Sequence, residues 1–122
     1  MPSQREDYLL RLIRQAAEAL RRLREALSGE ATPSAVERQA DAAIGELLGP
    51  RYQLLSSLDP LSAASLIADS RRIELWANLI RVQAAARRQS GDGPGAAALE
   101  LRANALEQAL GIGGDSGHRK AD

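Results

Sequence analysis

Residues 69–90 constrain this chain more than any other stretch. Projected at about 100° per residue, their apolar positions fall on two sides of one helix. Ile73, Trp76, Ala77, Ile80 and Ala84 make one stripe, and Leu75, Leu79, Val82 and Ala86 make a second. Glu74, Asn78, Arg81 and Arg88 fill the polar wedge between them. A surface helix of a globular domain shows one stripe, roughly 100° wide. Two stripes call for neighbours on both sides, so this segment is expected to be the central helix of an all-α domain. Trp76 is the only Trp and its largest apolar contact. Ile73, Trp76, Leu79 and Ile80, with Leu106 of the last helix, are the expected structural core.

Composition points the same way. Among the apolar residues, which make up 44% of the 122, 23 are Ala and 19 are Leu, with no Phe. Ala and Leu are strong helix formers, while the β-branched and aromatic residues that favour strands are scarce. Ala-rich faces let helix axes approach closely, so a thin, tight core is expected. A chain of this length makes one domain and can form its core without disulfides or a metal.

Ser3 with Glu6 fits a capping box and opens a helix that should run to Leu27, with Gly29 as a left-handed stop. Leu9, Ile13, Ala16, Leu20, Leu23 and Leu27 form its main stripe. Tyr8, Leu12, Ala19 and Ala26 widen that stripe on one flank, and Leu10 and Ala17 widen it on the other. The opposite face alternates Arg14, Glu18, Arg21, Arg22 and Glu25, which reads as a self-paired, solvated face. Thr32 and Pro33 suit the cap and first position of a second helix ending near Leu48, where Gly49 and Pro50 break it. Residues 51–58 are open between a short helix and a packed irregular turn. Asp59 and Pro60 start a short helix through Ile67. Residues 91–95, with four Gly or Pro among five, read as a turn. The last helix is expected from about Ala96 to Leu110, with Gly111 as its stop. It too has two apolar sides: Leu99, Ala103, Leu106 and Leu110, then Ala98, Leu101, Ala105 and Ala109. Residues 111–122 are polar and Gly-rich and are expected to be a disordered tail.

The opening residues Glu6, Asp7, Tyr8, Leu9, Leu10, Arg11, Leu12 and Ile13 resemble the N-terminal signature of a family of small, uncharacterised bacterial all-helical proteins. The C-terminal hairpin resembles that family as well. More loosely it is similar to a tetratricopeptide repeat, through the turn at Gly91 and Asp92 and the spacing of Ala98 and Leu99 to Ala105 and Leu106. Ile80 and Gln83 stand where the repeat carries a small residue and an aromatic one. The resemblance implies a tetratricopeptide-like fold with an interaction role, and no catalytic residues.

Several function classes fall away. The 16 basic and 16 acidic residues cancel, which removes the basic footprint of a nucleic-acid or membrane-surface binder. There is no Cys, hence no disulfide framework and no thiolate chemistry. No basic and apolar leader opens the chain, and no uncharged apolar run reaches the roughly 18 residues of a membrane span, so a cytoplasmic location is expected. His118, the only His, lies in the expected tail, away from the packed shell that a catalytic relay or a His-ligated metal needs. Glu46, Glu74, Glu100 and Glu107 lack a Glu-x-x-His partner. Ser56, Ser57 and Ser62 lack a base and are better read as capping residues. The 91–95 glycines follow no strand and precede no Lys-Ser/Thr, so they do not make a phosphate loop.

The resulting expectation is a helical bundle of four main helices plus one short helix, with no cofactor, no metal and no enzymatic activity. Its role is that of an interaction or assembly module. Three helices carry more apolar face than one modest second helix can cover. The flank of Tyr8, Leu12, Ala19, Leu23 and Ala26 is the candidate interface of a homo-oligomer, a dimer by preference. The alternative is an arginine-mediated anion or nucleic-acid binder, which requires Arg11, Arg14, Arg71, Arg72, Arg81, Arg87 and Arg88 to converge on one face.

Overall fold

Four of the helix starts among the described residues are built around a short polar side chain. In the computed structural model, which describes residues 4–114 and side chains through residue 111, Thr32, Asp59, Asp69 and Asp92 each precede a helix. The Thr32 hydroxyl accepts from the Ala35 N–H at 3.2 Å. The Asp59 carboxylate accepts from the Ser62 N–H at 3.1 Å. Asp69 Oδ1 accepts from the N–H groups of Arg71 and Arg72. Asp92 Oδ1 accepts from the Gly95 N–H at 2.9 Å. These bonds satisfy donors that a first helical turn leaves without partners.

The described residues form six α-helices and no strand: α1 (Gln4–Leu27), α2 (Pro33–Leu48), α3 (Tyr52–Ser57), α4 (Pro60–Ile67), α5 (Ser70–Gln89) and α6 (Gly93–Gly114). The segment left open by sequence becomes a single 3-10 turn, Gly49–Arg51, followed by the short α3. Among these residues no helix is long and apolar enough to cross a membrane.

Helix α5 is the hub. It packs against α1, α2, α4 and α6, and both of its apolar stripes are covered. Ile73, Trp76, Leu79 and Ile80 are buried, as is Leu106 of α6 that faces them. The α5–α6 pair runs antiparallel, because Arg88 meets Glu100 while Arg81 meets Glu107 farther along.

Three helix ends differ from the sequence reading. Gly29 does not take a left-handed conformation; among the described glycines only Gly49 and Gly91 have positive φ. Helix α1 closes instead by tightening, with Ser28 and Gly29 N–H groups donating to Glu25 and Ala26 carbonyls. Helix α6 starts at Gly93 rather than near Ala96. Pro94 fits its first turn, where a missing N–H costs nothing, and any side chain at Gly95 would collide with the Asp92 carboxylate and the Arg87 guanidinium. At its other end α6 continues through Gly111 to Gly114, since a glycine stops a helix only by turning left-handed, which Gly111 does not do. Ser3 and the remainder of the expected tail, 115–122, lie outside the described residues.

Candidate interaction surface

Most of the arginines named above have partners within the chain. Arg81 donates to both Glu107 oxygens, at 2.8 and 2.9 Å, and to Asn78 and Asn104. Arg87 bridges Glu37 of α2 and Asp92 of the turn, and Arg88 pairs with Glu100. The side-chain hydrogen bonds from Arg81 hold the Glu107 carboxyl below its usual pKa. The Gly95 N–H, then Arg87, do the same for Asp92. Arg71 pairs with Asp69, and Arg11 lies over the Tyr8 ring at 5.7 Å. Of the seven arginines named for an anion site, Arg11 and Arg14 lie on α1 and the other five on α5, where Arg71, Arg81, Arg87 and Arg88 each pair with a carboxylate. On α1, Arg21 and Arg22 pair with Glu18, and Arg21 with Glu25, at 3.5–3.8 Å. Exposed pairs of this kind contribute a few tenths of a kcal/mol.

Arg72, one of the seven, and Arg102 do something that sequence reading missed. Arg72 is buried at 8% exposure and donates to the Leu47 carbonyl at 2.6 Å, in the last turn of α2. Arg102 donates to the Leu58, Leu55 and Ser56 carbonyls where α3 ends, and its guanidinium lies 5.3 Å from the Trp76 ring centre. Burial lowers the pKa of both guanidinium groups, which still stay charged. Gln89 completes the set by donating to the Leu27 carbonyl at the end of α1. Side chains from the last two helices therefore cap the C-terminal ends of the first three, where a positive charge or donor is favoured. A signal existed: Arg72 stands four residues before Trp76, and Arg102 four before Leu106, each in line with the core stripe.

The polar groups beside α2 are likewise engaged. Burial, then the hydrogen bond its hydroxyl donates to Asp41, pushes the Tyr52 pKa up to about 12. Among the described residues no three His, Cys, Asp or Glu side chains stand together as a metal site.

What the fold leaves open is apolar. The first three turns of α1 carry Tyr8, Leu9, Leu10, Leu12 and Ile13, and none of them is buried; Tyr8 is 48% exposed. The first buried side chain of α1 is Ala16. The expected interface flank divides at this point. Leu23 is 4% exposed and belongs to this chain's own core, a correction to the expected interface, while Ala26 is half-buried and packs against that core. Tyr8, Leu12 and Ala19, with Gln15, Glu18 and Arg22, instead line a groove of about 660 Å³, closed on its far side by Glu46 and Gly49. A smaller groove of about 270 Å³ shares Ala19, Arg22 and Glu46 with it and runs along α2 past Gln39, Ala42 and Ala43.

A second uncovered apolar surface lies on α6. Leu101 is 71% exposed, flanked by exposed Ala97 and Ala98 and half-buried Ala105. Nearby α4 exposes Leu61 and Leu66. This side of α6 is the second apolar stripe seen in sequence, of which Ala109 alone is buried.

Compared with known proteins, the chain matches no family model, no curated protein and no solved structure.

Proposed function

We propose that this chain is a non-enzymatic interaction and assembly module that self-associates through the N-terminal half of α1. The observation that carries the reading is the run of five large apolar residues from Tyr8 to Ile13, none of them buried. A contiguous apolar patch rimmed by polar residues is the mark of an interface, and a two-fold pair is the commonest way for a soluble chain to cover one. The non-enzymatic part of the reading draws support from the carboxylates: Glu100 and Glu107 are engaged by arginines. The arginine-mediated alternative draws less, since Arg72, Arg81, Arg87 and Arg88 are spent within the chain.

The α5–α6 hairpin is read as tetratricopeptide-like, on its tight turn and its Ala–Leu spacing. The six helices are read as one bundle around α5, working in the cytoplasm.

Sedimentation velocity at micromolar concentration tests the proposal. The wild type is expected to be a dimer, Leu12→Glu a monomer with unchanged helicity, and Leu101→Glu still a dimer. A monomeric wild type overturns self-association. A dimer broken by Leu101→Glu and not by Leu12→Glu moves the interface to α6.

A further inference from the structure

We infer that the α1 groove is filled by α1 of a second copy, lying antiparallel across a two-fold axis that passes near residue 14. This rests on the self-association reading and specifies its geometry. The floor of the groove is Tyr8, Leu12 and Ala19. Glu18 and Arg22 line its outer edge, and Asp7 and Arg11 share their side of α1, all four falling within about 60° of one another on the helix. All four are exposed.

Their signs run acid, base, acid, base. Turning the helix end for end about its midpoint sets Asp7 opposite Arg22 and Arg11 opposite Glu18, so every acid meets a base, twice over by symmetry. A parallel copy in register sets like charge over like. The same reversal brings Tyr8 against Ala19 of the partner subunit, a large side chain over a small one. The two pairings place the axis within one residue of each other, a difference of about 1.5 Å along the helix, which a flexible arginine spans. From Tyr8 to Ala19 the contact is about 16 Å long, three turns of each helix. Neither an acidic nor a basic partner segment matches an edge of alternating sign; a second copy in reverse does.

Charge reversal reads the register directly. Arg11→Glu and Glu18→Arg each set two like pairs across the axis in place of two opposite ones. Each alone is expected to weaken the dimer by about tenfold or more in Kd, the effect of a change of about 1.4 kcal/mol or more. An equimolar mixture of the two variants is expected to recover the wild-type Kd as a heterodimer, because each Glu then faces an Arg. The double variant R11E/E18R is expected to recover it as a homodimer. Circular dichroism of the single variants checks that α1 still forms. Rescue by mixing cannot arise from damage to one chain's fold.

A wild-type dimer that both reversals leave unchanged overturns this register while sparing self-association. Weakening without rescue, in the mixture and in the double variant, overturns it too. A wild type that stays monomeric at tens of micromolar overturns both proposals.

Discussion

Helix α5 and the N-terminal half of α1 are made from the same few residue types, and the fold treats them in opposite ways. On α5 every residue of both stripes is buried except the half-buried Leu75, and in the polar wedge Arg81 is bonded to Asn78, Asn104 and Glu107. In α1, five large apolar residues occupy three turns and none is buried. The difference lies in neighbours. Helix α5 has α6, α2, α1 and α4 around it, while α1 has only α2 and α5, and α2 ends in the Gly49 turn that closes the groove beside Tyr8. Helical amphipathicity sets how much cover a helix needs; chain length sets how much its own chain supplies.

The sharpest way to break this comparison is to cut one large apolar side chain in each region. Trp76 is 2% exposed, so Trp76→Ala is expected to cost about 3–5 kcal/mol, a transfer term plus a cavity term. Leu10, at 39% exposure, is expected to cost under about 1 kcal/mol as Leu10→Ala, measured on dilute, monomeric protein. Denaturant titrations of the two variants give both numbers. Equal losses would erase the distinction between a closed and an open region.

The hairpin differs in a second way: it reaches back and caps the earlier helices. Arg102→Met keeps an apolar contact with Trp76 and deletes the donors to the Leu55, Ser56 and Leu58 carbonyls. A loss of about 1–3 kcal/mol is expected, the cost of leaving buried or half-buried acceptors unmet. The same denaturant titration checks it, and a loss below about 0.5 kcal/mol would show that water caps α3 equally well.

How much of this was legible follows from the range of each signal. Local signals read true: Thr32 and Asp59 cap helices as their spacing implies, and the stripes of α5 name its buried apolar residues, with Leu75 half-buried. Signals with two local meanings did not. Pro94 serves a turn or a first helical turn, and Gly111 a stop or a helical residue; the Asp92 cap and the backbone decide each case. The interface flank was half legible. A helical wheel shows that α1 is apolar over a wide arc, but not that α2 covers the arc at Leu23 and leaves it at Tyr8. Arg72 and Arg102 were illegible as capping groups because their acceptors lie 25 residues and more away in sequence.

The smallest expected effect lies at the joint between α4 and α5. Ala68 ends α4 in the left-handed region, with φ of 58° and ψ of 10°, and its N–H donates to the Ala64 carbonyl at 2.9 Å. A left-handed alanine sets its Cβ against its own carbonyl, at roughly 1–2 kcal/mol for an L-residue. Glycine adopts the same conformation without that clash but raises the entropy of the unfolded chain, by an amount that offsets part of the gain. The side chain at 68 is exposed, so its removal leaves no cavity. Ala68→Gly is therefore expected to stabilise the protein by about 0.5–1 kcal/mol, a rise of a few degrees in Tm for a chain of this size. This joint leads directly from α4, which packs on α6, into α5. A thermal melt that falls instead would mean that alanine's restriction of the unfolded chain outweighs the left-handed strain, and that the closed region carries no relievable strain at its entry.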